Sequence, residues 1–265
     1  AFACREEAAA LFDVPEPEQV VFTFNATHGL NLAIKSLVRP GDTVVVSGYE
    51  HNAVTRPLRA IPGVTVRVAD SPLFDRAAAL EAFRRALTPE VRAAVCTHVS
   101  NVFGYILPIG QIAALCREAD VPLVIDASQS AGTLPLSLRE TGAAFVACPG
   151  HKGLLGPHGT GALWVKEGVT LAPLRQGGTG SASESMFQPR MMPDSLESGT
   201  LNLPGIAGFS SGIRFALAHE QEARETIAAL CGMMRDALLE IPAVRVYTAE
   251  GASLVTFNIE GMASQ

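Results

Sequence analysis

The sequence predicts an α/β fold: a mainly parallel, seven-stranded-type sheet sandwiched by helices, followed by the start of a smaller C-terminal α+β domain. Two observations carry this expectation. Short runs of β-branched residues alternate with longer helical stretches, the pattern of strand–helix–strand units. The runs are also apolar at nearly every position, as strands become when helices cover both faces of a sheet.

Taken in order, VVFTF (20–24) reads as the first strand and leads into a helix through 30–37. TVVVS (43–47) is the second strand, with a helix near 53–60, and VTVRV (64–68) precedes an amphipathic helix over 75–87. VRAAVCTHV (91–99) precedes a helix over 109–119, and VPLVID (121–126), AAFVAC (143–148) and GALWV (161–165) complete the set. Gly, Pro and Ser collect from 171 to 204, which predicts a long irregular segment of the kind that is usually functional or mobile. Two helical stretches then cover 205–240, broken near Cys231 or Gly232 at most. VRVY and SLVTFNI look like the opening of a second domain, so the expected division is 1–240 and 241–265. With no initiator Met and an end just after an apparent strand, the chain reads as incomplete at both ends.

Composition narrows the class. Hydrophobic residues at 48% against 17% charged describe a folded chain rather than a disordered one. No apolar run approaches the ~18 to 20 residues that cross a bilayer, and AFACREEAAALF lacks the basic start and apolar core of a signal peptide. The net charge of −6 comes without a basic stretch, which argues against a nucleic-acid partner. The five cysteines contain no C-x-x-C pair, and Cys96 and Cys148 sit in strand-like runs as small buried hydrophobes. No disulfide framework or metal site is expected, and a cytoplasmic setting away from membranes fits best.

In an open α/β sheet, ligands bind beyond the carboxyl ends of the strands. Only three lysines are present, and Lys152 differs from Lys35 and Lys166. It lies in CPGHKGLLGPHGTG, directly after an apolar strand and among glycines that permit close backbone approach. A desolvated lysine there has an amine available for a Schiff base; a loop lysine on a solvated surface is the plainer alternative. Asp126 follows PLVI at a strand end, where a carboxylate needs a partner. The protonated ring nitrogen of pyridoxal phosphate (PLP) supplies one, although a helix N-cap also suits Asp. After the first strand, NATHGLNLAI offers the amides near Ala26, Thr27 and His28 to an anion such as a phosphate, or simple capping by Thr27. His51 could stack flat on a pyridine ring, or cap the next helix. Asn101 could donate to the ring's phenolic oxygen, or form a turn before Gly104.

Together the stretches NATHGLNLAIKSLV, YEHNAVTRPL, HVSNVFGYILPI, VIDASQSAG, GHKGLLGPHGTGALWV and SLESGTLNLPGIAGF resemble the class V aminotransferase superfamily, most closely its cysteine desulfurase and selenocysteine lyase branch. They run in the family's order from about residue 20 to 210. The resemblance implies that Lys152 is the Schiff-base lysine, Asp126 the partner of the pyridine nitrogen and His51 the ring-stacking histidine. Asn101 and Gln129 would surround the phenolic oxygen, with Thr27 and His151 on the phosphate. Thr200 in ESGT would reach the phosphate of the other subunit, implying a homodimer with shared active sites, with RQGGTGSASES near that boundary. The implied reaction takes L-cysteine or selenocysteine, yields L-alanine from cysteine, and leaves the sulfur as a persulfide for an acceptor protein.

Two departures stand out. Pro149 occupies a position that is a phosphate-binding Ser in many relatives, and proline donates no hydrogen bond. None of the five cysteines aligns with the family's nucleophile, which is expected beyond a point matching Gln265, together with the arginine that grips the substrate carboxylate. An aminotransferase, epimerase or β-lyase on the same scaffold is the competing expectation, as is a truncated, non-catalytic chain.

Overall fold

The computed structural model describes residues 1–249 and 251–263. Its elements run α1 (Phe2–Leu11), β1 (Val20–Thr23), α2 (Ala26–Leu37), β2 (Thr43–Ser47), α3 (Asn52–Arg59), β3 (Thr65–Ala69), α4 (Arg76–Ala86) and β4 (Val91–Thr97). There follow α5 (Ile109–Glu118), β5 (Leu123–Asp126), α6 (Leu138–Thr141), β6 (Phe145–Pro149), β7 (Gly161–Val165), α7 (Leu203–Leu239), β8 (Val244–Val246) and β9 (Phe257–Ile259).

Seven strands form one sheet in the order β1-β7-β6-β5-β4-β2-β3. Every neighbouring pair is parallel except the two that β7 makes, with β1 and with β6. The sheet is therefore mainly parallel, as expected, with one reversed strand. Alternate residues feed two apolar layers: Val45, Ala94, Cys96, Ile125, Val146 and Trp164 enter one, while Val44, Val46, Val95, Val124, Phe145 and Leu163 enter the other. Residues of α1, α4, α5 and α7 cover the first face, and those of α2 and α3 the second. This sandwiching explains why the strand runs are apolar throughout.

β1 is an edge strand, which leaves outward backbone groups to be satisfied. The buried side chains of Arg5 and Glu197 do this: Arg5 Nη1 donates to the Val20 carbonyl and Glu197 Oε1 accepts from the Phe22 amide. The two side chains also bond to each other, with Arg5 Nη1 to Glu197 Oε1 at 2.8 Å and Nη2 bonded to Oε2. α1 was not foreseen; Cys4, Ala8 and Ala9 bury it on the sheet, and Trp164 Nε1 donates to the Ala8 carbonyl at 2.9 Å.

The region expected to hold two helical stretches is instead one helix, α7, which passes through Cys231 and Gly232 without a break. A glycine in a helix costs only ~1 kcal/mol relative to alanine, too little to interrupt a run of strong helix formers. Residues 171–202 hold no helix or strand. β8 and β9 pair antiparallel with each other and with no strand of the large sheet. Glu250, Ser264 and Gln265, which the expected second domain includes, lie outside the described residues.

Candidate functional site

The carboxyl ends of β4, β5 and β6, the start of α2 and the loop after β2 converge on an open cleft of about 170 Å³. Ala26, Thr27, His51, Asn101, Asp126, Gln129, His151 and Lys152 all line it. His28 and Thr200 do not; both line a separate cavity of about 40 Å³ with Phe24, Arg175 and Asn202.

Glycine sets the approach of Lys152 to Asp126. A Cβ on Gly153 would meet the Ala131 carbonyl oxygen at 2.4 Å, and one on Gly132 (φ +80°) would meet the Gly153 carbonyl oxygen at 2.5 Å. The loop after β6 is thus pressed backbone to backbone on the turn after β5, a contact open only to residues without a Cβ. Lys152 itself is exposed in the cleft. The desolvation that its glycine-rich surroundings suggested is not built by the described residues, because the loop is packed on its glycine side and not over the lysine.

Asp126 is buried at the end of β5, where Oδ1 accepts from the Ser128 amide at 2.9 Å. Burial raises its pKa, and the Ser128 hydrogen bonds and the charges of Lys152 and His51 pull the other way. The net rise marks a carboxylate short of positive neighbours, which a cationic ligand group would supply. His51 Nδ1 accepts from the Ala53 amide at 3.0 Å and caps α3. That bond leaves the proton on Nε2 in the neutral ring, so capping fixes the ring while its exposed surface lines the cleft. Asn101 stands in the turn between Val99 and Ile106, which bridge each other, with Gly104 at φ +63° closing the return. Gln129 lies in the turn following Asp126.

At the opposite end, Asn25 caps α2 by accepting from the His28 amide at 2.9 Å. The alternative of capping by Thr27 is thereby corrected: Asn25 occupies the N-cap position. The Ala26 and Thr27 amides, in the first turn, have no acceptor within the helix, and both residues line the cleft. His28 is placed on the other side of the first turn. Its amide serves the cap and its ring stacks on Phe24 at 5.1 Å, a helical step of ~100° away from Thr27. Burial and the Arg175 charge lower its pKa. His151 stacks on His158 at 4.6 Å, and its Nδ1 is buried without a hydrogen-bond partner.

These groups fit a phosphorylated aromatic ring carrying an aldehyde and a basic nitrogen. The orphaned Nδ1 of His151 and the first-turn amides suit the anionic end, Asp126 suits the ring nitrogen, and the Lys152 amine suits the aldehyde. A buried polar atom with no protein partner calls for one from outside the protein.

Sequence reasoning passed over Glu50, whose Oε1 accepts from the Ser47 hydroxyl and from the Thr97 amide at 2.8 Å. The signal was there: an acid beside His51, just past a buried strand. Among the described residues no cysteine lines the cleft. Cys4, Cys96, Cys116 and Cys148 are buried, and burial pushes each thiol up, Cys4 and Cys116 to about 12.

A family model described as Aminotransferase class-V matches residues 2–265. A probable cysteine desulfurase of Xylella fastidiosa (strain Temecula1 / ATCC 700964) is 34% identical over 275 residues, covering 98% of this chain and 65% of that protein. The cysteine desulfurase CsdA of Escherichia coli (strain K12) is 27% identical over 271 residues, covering 98% of this chain and 67% of the relative. Its crystal structure, titled as an S-sulfonic acid form, superposes with a TM-score of 0.90 at 25% identity, covering 98% of this chain and 68% of that one. A C-DES mutant solved with glycine covalently linked to its PLP cofactor shares the fold, with a TM-score of 0.85 at 24% identity over 98% of this chain and 72% of that one. The chain thus spans just under two thirds of the first of these relatives.

Proposed function

Because this chain belongs to the class-V aminotransferase family, we propose that it is the cofactor-binding part of a PLP-dependent cysteine desulfurase. One observation carries the cofactor: the buried, under-compensated carboxylate of Asp126 shares a cleft with the exposed amine of Lys152 and with a helix start suited to phosphate. The desulfurase assignment draws its support from the relatives that bear that name.

Residues 1–240 form the PLP-binding domain and 241–265 open a second, smaller one. Lys152 Nζ would hold the cofactor's aldehyde carbon and would move the proton at the substrate α-carbon. Asp126 holds the ring nitrogen in its protonated form. The His51 ring would hold the face of the cofactor, and Asn101 and Gln129 would hold its phenolic edge. The Ala26 and Thr27 amides and His151 would hold the phosphate, with the positive end of α2 favouring its charge. PLP contributes an electron-withdrawing ring that stabilises negative charge at the substrate α-carbon.

The whole reaction converts L-cysteine to L-alanine, the sulfur passing to a cysteine thiolate outside the described cleft and then to an acceptor protein. The active form is a cytoplasmic homodimer in which Thr200 of one subunit reaches the phosphate held by the other. Among the described residues no helix is long and apolar enough to cross a membrane.

Borohydride reduction of the chain incubated with PLP, followed by peptide mass analysis, tests the assignment. The expected result is a stable pyridoxyl adduct on the peptide carrying Lys152, absent in Lys152→Ala. An adduct spread over Lys35 and Lys166 instead would sink it.

A further inference from the structure

The carboxyl group of Glu50 is the titratable group beside the cleft that the proposed chemistry leaves unused. It sits in the loop between β2 and α3, directly before His51. Its Oε1 takes two hydrogen bonds, one from the Ser47 hydroxyl at the end of β2 and one from the Thr97 amide at the end of β4. Thr97 is in turn the register partner of Asp126 across the β4–β5 ladder. One side chain therefore ties two strand ends together next to the residue that would face the ring nitrogen.

The second oxygen behaves differently. Glu50 Oε2 is buried and has no hydrogen-bond partner. No cation pairs with Glu50 among the described residues. The titratable groups close enough to act on it, or to feel it, are Asp126 on β5 and the buried Cys96 thiol on β4. A buried oxygen that carries negative charge and receives no donor is costly, whereas a carboxylic acid O–H in the same place is far less so. A second negative charge here would also repel that of Asp126.

We propose that Glu50 is a positioning residue that works as an uncharged acid, with its proton on Oε2, holding the ends of β2 and β4 in register. It thereby adds no second negative charge beside Asp126. This inference rests on the PLP reading of the site. Burial, with a contribution from Asp126, raises the Glu50 pKa to about 8, and its hydrogen bonds to Ser47 and Thr97 only partly offset this. The acid is consequently protonated at neutral pH.

The isosteric variant separates a neutral acid from an anion. Glu50→Gln keeps the acceptor for Ser47 and Thr97 and places an N–H group where the acid O–H stands, whereas Glu50→Ala removes both. In PLP titrations of the purified chain at pH 7, E50Q is expected to bind within about threefold of wild type and E50A more than about tenfold more weakly. The infrared difference between wild type and E50Q is expected to contain the carbonyl stretch of a protonated carboxylic acid. That measurement needs no cofactor, and together with E50Q it decides the matter if E50A does not fold. E50Q binding as weakly as E50A, E50A binding like wild type, or an absent acid band each overturns the inference. Wild type that takes up no PLP overturns the cofactor reading instead, and the controls tell the two failures apart.

Discussion

Replacing Glu197 by alanine removes one partner of the buried pair that covers the edge of β1. Arg5 and Glu197 are 7% and 8% exposed, so little solvent is at hand to rescue the guanidinium left behind. Breaking a buried pair from one side costs about 3–5 kcal/mol. The Phe22 amide also loses its acceptor, a penalty of about 1–3 kcal/mol that overlaps with the first. Arg214 and Glu7 form a more exposed pair, at 58% and 20% for their side chains, and such pairs contribute about 0–1 kcal/mol. Urea unfolding followed by circular dichroism should therefore rank Glu197→Ala several kcal/mol below wild type and Arg214→Ala within about 1 kcal/mol of it. The double variant Arg5→Met/Glu197→Leu should regain much of the loss, since no charge is stranded. It should not regain all of it, because Val20 and Phe22 keep unmet backbone groups. A Glu197→Ala variant within about 1 kcal/mol of wild type, or a double variant no better than the single, would refute this account of the edge.

Other outcomes follow from the cleft and its supports. Gly153→Ala forces a Cβ onto the Ala131 carbonyl at 2.4 Å; it should lose about 1–3 kcal/mol in thermal melts and weaken PLP binding, because the Lys152 loop must back away from Asp126. Gly232→Ala, inside α7 with nothing within 4 Å of its added Cβ, should instead stabilise by about 0.5–1 kcal/mol. Asp126→Asn removes a carboxylate whose pKa is raised by burial, so the cofactor-free variant should melt at or above the wild-type temperature while the rise produced by added PLP shrinks. Glu50 keeps its proton to about pH 8 in the folded chain, against an ordinary 4.5. Between those values the folded state binds more protons than the unfolded one, so stability should decline as pH rises through the window. Glu50→Gln should flatten that decline in melts recorded across the same pH range.

Much of this was legible in the residues. TVVVS and GALWV coincide with β2 and β7 to the residue, because short apolar runs buried on two faces leave a strong local signal. The direction of β7 left none: a run apolar at every position reads the same in either orientation, and only pairing with β1 and β6 shows the reversal. α1 was missed because the alanine-rich CREEAAAL has a weak apolar stripe, and its partner Trp164 lies 156 positions away. Within the site, glycines around Lys152 suggested close packing, and the packing exists, but against the Asp126 turn rather than over the amine. His28 follows Ala26 and Thr27 in the sequence, but a helix turns each successive residue to a new direction, and its ring meets Phe24. The cap by Asn25 could have been anticipated, since Asn is among the best N-cap residues.

The reversed strand also dictates timing. β1 waits for β7, about 140 residues further on, and Arg5 waits for Glu197 at a separation of 192. At ~5–20 residues per second, a ribosome needs roughly 10 to 40 s to deliver that second partner. Through that interval the consecutive strands β2 to β6 can assemble from nearer neighbours, while the Val20 carbonyl and the Phe22 amide keep no settled partner on their outer side. The outer edge of β1 is thus a late-closing seam, sealed only once Glu197 has joined Arg5.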